Sequence, residues 1–194
     1  MGVTALDPVL DDSIRRYEGA LIRLHEVLDG LGDAEARRAP AKGWSVAQCL
    51  DHLVVAGALT AAKIEQTIQR ARELTRVARS GRPARLGWFD RLIVALLSRG
   101  KDGLRPRLPL PHPAPFDPGT GRSIAILASE FIALQDRLIA AARSARGLDL
   151  ADIRMGSAAN DSFRLSLGAW FLLIAGHQER HLDQAARSRK AIGR

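Results

Sequence analysis

Apolar residues recur at Ile14, Tyr17, Leu21, Leu24, Leu28 and Leu31, with spacings that alternate between three and four. That period lays one apolar stripe along an α-helix; a half-buried strand would instead alternate every second residue. The rhythm returns at Val46, Leu50, Leu53, Gly57, Ala61, Ile64 and Ile68, and again at Ile124, Leu127, Phe131, Leu134 and Leu138. A fourth helical run extends from about Phe163 to Ser188. Each stripe needs another to bury it. The pattern therefore predicts an all-α protein, a four-helix bundle with one long crossover.

Local signals bound these helices. Asp7-Pro8 is an N-cap followed by proline at the first helical position, and Gly30 and Gly32 end the first helix. Arg37 to Gly43 reads as a short loop. Ser45 followed by Gln48 forms a capping box for the second helix, with Trp44 placed to staple onto Cys49. This helix runs towards Arg79, before Gly81 and Pro83. Thr120-Gly121 leads into the third long helix, which Gly147 terminates. Leu148 to Asp161 shows no clear period.

Residues 82–118 interrupt the pattern. Leu86 to Ser98 predicts one short helix with Trp88, Phe89, Leu92, Ile93, Leu96 and Leu97 as its apolar side. Pro106 to Pro118 holds six of the nine prolines and must be extended or turning. A helix-and-strap crossover accounts for the segment without a second domain, so residues 1–194 read as one domain. The alternative is a partner or membrane-surface helix, which the unsegregated charge disfavours.

Charge and cysteine content narrow the function. The formal net charge is +8, from 29 Lys+Arg against 21 Asp+Glu. The basic residues are scattered over every segment, which argues against nucleic acid as a partner. One cysteine, Cys49, allows neither a disulfide framework nor a multi-cysteine zinc site. No signal segment or bilayer-spanning run is evident, so the expected location is the cytoplasm and no membrane partner is expected. A homodimer is left open.

The chemistry gathers on histidines. His177 and His181 are four residues apart, hence one turn apart on one helix face. Phe163, Trp170, Leu173, Ile174 and Gln184 lie within about 60° of His177 on that face, so the two imidazoles continue an apolar, core-facing stripe. Ordinary packed histidines would satisfy that pattern alone. A third changes the balance. His52 lies on a second uncharged face of its helix with Cys49, Ala56 and Leu59, where Asp51 is the only charge in the first half. His52, His177 and His181 together would give a divalent ion three ligands and an open position. Imidazole donors suit Zn, Ni, Fe or Cu without choosing among them. Gln48 and Gln184 are candidate acceptors for the other ring nitrogens. Glu179 faces away and supplies no general base. His25 flanks the first stripe and His112 sits between two prolines; neither is expected in the site.

Trp44-Ser45, Gln48 and Leu50-Asp51-His52-Leu53 resemble the second-helix signature of the DinB-like superfamily. Pro109 to Pro118 resembles its proline-rich strap, and His177-Gln178-Glu179-Arg180-His181-Leu182-Asp183-Gln184 its last-helix signature. The resemblance spans nearly the whole chain. It implies a DinB/YfiT-like four-helix bundle and a divalent metal held by His52, His177 and His181. It also implies kinship with metal-dependent transferases and isomerases that use low-molecular-weight thiols such as bacillithiol or mycothiol.

Three functions compete on this basis. One is a metal-dependent S-transferase joining a small thiol to a small-molecule electrophile. Another is a metal-dependent hydrolase, which the missing general base disfavours. The last is a non-enzymatic module that binds metal, or a partner through Trp88–Leu97.

Overall fold

Four long helices carry the fold of this computed structural model, which describes residues 7–74, 84–97, 116–119 and 121–193. The first, α1 (Pro8–Leu28), begins where Asp7 accepts a hydrogen bond from the Val9 amide at 2.9 Å. A single turn, α2 (Asp33–Arg37), follows in what reads in sequence as the approach to a loop. The second long helix, α3 (Val46–Glu73), opens on the expected capping box: Ser45 Oγ accepts from Gln48 N, and Gln48 Oε1 from Ser45 N. Then come α4 (Trp88–Leu97) and α5 (Ile124–Ser144), the latter capped by Ser123. The end of the second helix near Arg79, most of the proline strap and His112 lie outside the described residues.

α1 and α3 each pack against both α5 and α6 (Leu167–Ile192). The stripes read from spacing form the contact: Tyr17, Leu24, Leu50, Leu53, Ile64, Phe131 and Leu138 are all 1% exposed or less. Each such side chain contributes about 1.5–3 kcal/mol of transfer free energy, against the entropy of ordering the chain. α3 and α5 approach closely at Gly57, where an added Cβ would stand 2.3 Å from Leu134 Cδ2.

The last helix starts later than its period suggests. Phe163 is not helical; β1 (Arg154–Gly156) and β2 (Arg164–Ser166) form an antiparallel hairpin in which Met155 pairs with Leu165. Leu165 and Leu167 face the core from either side of Ser166, and the Ser166 hydroxyl caps α6 by accepting from the Ala169 amide. Trp170 Nε1 donates to the Met155 carbonyl at 2.8 Å, tying the helix to the hairpin.

α4 packs on α6. Of its expected apolar side, Trp88, Phe89, Leu92 and Leu96 are exposed, while Ile93 is half-buried against the core. Its single acid is the buried one. Asp90 is 1% exposed and accepts from Arg154 Nη1 and from the Ser166 amide at 3.0–3.2 Å, which offsets the cost of burying a charge. Among the described residues no helix is long and apolar enough to cross a membrane.

Candidate metal centre

The site is built where α3 meets α6, roofed by the residue before the α3 cap. Beyond Ile174 the buried stripe of α6 moves to Gln178, Leu182 and Ala185, each 1% exposed or less. By helix geometry these lie about 80–140° round from His177. His177 and His181 are therefore left at the edge of the stripe and are half-buried, less deep than a core-facing position implies. His52 comes from α3 and is 2% exposed. Two rings thus stand at the edge of the stripe and one beneath them.

The three rings converge. Ligand nitrogens of His52, His177 and His181 lie within 4.8 Å of one another, and the ring centroids are 4.6–5.0 Å apart. His52 Nε2 is 3.1 Å from His177 Nε2. Donors placed tetrahedrally about one ion with bonds of about 2.0–2.1 Å would be about 3.3 Å apart. Trp44 completes the enclosure. Its indole is stacked on His181, centroids 5.6 Å apart and planes 19° from parallel, and lies 5.0 Å from His52.

Proton placement follows from the neighbours. His52 Nδ1 faces the Phe116 carbonyl oxygen at 2.6 Å. A carbonyl can only accept, so Nδ1 carries the hydrogen and the Nε2 lone pair is directed to the centre. Burial pushes the His177 pKa down to about 3, with the charges of His52 and Arg180 acting in the same direction. Burial likewise lowers His181, followed by His177, His52 and Arg180, while Gln184 opposes weakly. Both rings are thus neutral in ordinary buffers, as metal coordination requires. His181 Nδ1 is buried with no hydrogen-bond partner among the described residues. Neutral, convergent and partly orphaned donors fit a divalent cation.

The rest of the last-helix motif serves the scaffold. Glu179 does face away, and Arg16 holds it through Nε and Nη2 at 2.7 and 2.9 Å. Asp183 accepts from Arg23 at 3.4 Å, so both acids fasten α6 to α1. Gln48 is not the acceptor for His52, because its side-chain oxygen is used in the capping box. The acceptor is the main-chain carbonyl of Phe116, near the end of the strap, and a main-chain acceptor carries no residue signature. His25 is exposed on α1 and stands with Glu26, Leu28 and Asp29 around a separate surface hollow.

The family profile of the DinB superfamily matches residues 16–185, which takes in most of α1, all of α3 and α5, and most of α6. The chain belongs to the DinB superfamily. No curated protein and no solved structure matches it. Membership agrees with the helical bundle and with a histidine cluster able to hold a metal ion.

Proposed function

We propose that this DinB superfamily protein is a metal-dependent S-transferase, in which His52, His177 and His181 hold a divalent ion and a low-molecular-weight thiol is joined to a small electrophile. The observation that carries the reading is the convergence of three imidazoles at the edge of the bundle, within 4.8 Å of one another, two of them held neutral by burial. Such an ion, held by neutral ligands only, would keep its full charge and favour the deprotonated form of a thiol.

The protein's own groups perform the remaining work. Phe116 fixes the His52 ring and its tautomer. Trp44 walls one side of the centre through its ring contacts with His181 and His52. Among the described residues no carboxylate joins the cluster, and Glu179 is engaged by Arg16. A reaction that needs a protein general base to activate water is therefore less well served than one whose nucleophile ionises readily. A thiol, with an unperturbed pKa of about 8.5, is such a nucleophile.

The test begins with elemental analysis of protein purified without a metal-affinity tag, followed by calorimetry with bacillithiol, mycothiol and glutathione. One metal per chain is expected, lost when any one of His52, His177 or His181 is replaced by Ala, with helical content retained. His25→Ala should keep its metal. Thiol binding should follow metal content. Stoichiometric metal without binding of any thiol would leave a metal-binding module and remove the transferase; no metal at all would remove both.

A further inference from the structure

Asp51 precedes His52 on α3 and is 3% exposed. A carboxylate buried in a helix must be paired, or it costs several kcal/mol. Its partners come from the chain that follows the strap. Asp51 Oδ2 accepts from the Gly119 amide at 2.6 Å, and Oδ1 from Arg122 Nε at 2.9 Å. Arg122 Nη2 also lies 2.9 Å from Oδ1, and Nη1 reaches Glu130. Three residues before Gly119 is Phe116, whose carbonyl accepts from His52 Nδ1 at 2.6 Å. Successive residues of one helix thus grip successive points of one crossing segment: His52 at 116, Asp51 at 119 and 122.

We propose that Asp51 is a positioning residue for the metal centre, acting through the backbone of residues 116–119 on the orientation and tautomer of His52. The proposal rests on the metal reading for its purpose, though not for its geometry. A ring whose Nδ1–H is held by a fixed carbonyl keeps its Nε2 lone pair on the centre. The carbonyl is fixed only as well as its own segment is. Phe116 offers the centre a main-chain atom, so its placement depends on anchors along the chain, and Asp51 supplies two of them within six residues. Arg122 extends the anchor to α5 through Glu130. Without the carboxylate, Gly119 and Arg122 lose a common acceptor and the Phe116 carbonyl is free to drift. The imidazole can then place its hydrogen on either nitrogen.

The test uses Asp51→Asn, which keeps the shape and removes the charge and one acceptor, and Arg122→Gln, on the half-exposed side of the pair. Two readouts are taken on the full chain. Long-range proton–nitrogen spectra of the metal-free protein report the His52 tautomer, and competition with a chromophoric chelator reports zinc affinity. Wild type should show His52 with hydrogen on Nδ1 alone. Both variants should show a mixed tautomer and a zinc affinity weaker by about 10–100-fold, the usual cost of losing a group that orients a ligand. His52→Ala, by contrast, should lose stoichiometric zinc outright. An unchanged tautomer in both variants would overturn the proposal, as would unchanged zinc affinity where wild type binds. Should wild type bind no zinc, the metal reading fails by itself and the tautomer still decides whether Asp51 positions His52. If Asp51→Asn does not fold, Arg122→Gln alone carries the decision.

Discussion

The indole of Trp44 is stacked on the imidazole of His181, with centroids 5.6 Å apart and planes 19° from parallel, while it also touches the ring of His52 at 5.0 Å. Trp44 is the residue before the α3 cap, and Ser188 Oγ donates to its carbonyl at 2.7 Å. Trp44 is therefore tied to both helices that carry the three histidines.

That placement makes Trp44 a reporter of the centre. Titration of metal-free protein with Ni or Cu should quench tryptophan fluorescence with a one-to-one end point, because a paramagnetic ion held by the histidines would sit beside the indole. Trp44→Phe should remove most of the response while binding persists, since neither Trp88 nor Trp170 makes a ring contact with the histidines. Equal quenching in Trp44→Phe would place the ion elsewhere.

The fold was legible because each long helix carries its own stripe and its own cap. Leu50, Leu53 and Ile64 are buried as their spacing requires, and Ser45 and Gln48 pair as their types suggest. The start of α6 was not legible: Phe163 lies in phase with the histidines, and a three-residue strand is too short to show its own period. The three histidines could be chosen from helix faces. Their half-burial could not, because it arises where the stripe of α6 shifts to Gln178, Leu182 and Ala185. The Phe116 carbonyl was beyond reach, since main-chain acceptors carry no residue signature. Asp51 was within reach, as a lone acid in an otherwise apolar half-helix.

The histidines set a pH window for the metal-free fold. Unfolded, His177 titrates near its ordinary value of 6.5; folded, it stays neutral down to about 3. Between those limits the unfolded chain binds more protons, so stability rises with pH and is lost as pH falls through the window. In chelator-treated protein, urea midpoints should drop from pH 7 to pH 4.5. His177→Gln, neutral throughout, should drop less. Parallel slopes for the two proteins would show that His177 does not stay neutral in the folded state.

Gly57 marks where α3 and α5 touch. Alanine there gains about 0.5–1 kcal/mol of helix preference but drives a methyl into Leu134, whose Cδ2 would be 2.3 Å away in a site 3% exposed. Overpacking of this kind costs about 1–3 kcal/mol, so Gly57→Ala should be destabilised on balance. Shortening the partner should recover part of the loss. In a double-mutant cycle with Leu134→Val, additive effects would show that the helices simply slide apart.

Gln178 gives the sharpest prediction about stability. It lies between His177 and the scaffold acid Glu179, 1% exposed, on the buried stripe with Leu182 and Ala185. Neither its Nε2 nor its Oε1 has a hydrogen-bond partner among the described residues. A buried amide left unpaired costs about 1–3 kcal/mol, whereas Met has a similar length and no polar hydrogen to satisfy. Gln178→Met should therefore raise the stability of the metal-free protein by about that amount. For a chain of this size the thermal midpoint would rise by about 2–4 °C per kcal/mol. Because Gln178 lies about 100° round the helix from His177 and about 60° from His181, metal stoichiometry should not change. A midpoint equal to or below that of wild type would mean that the amide is hydrogen-bonded in solution and that this part of the core is wet.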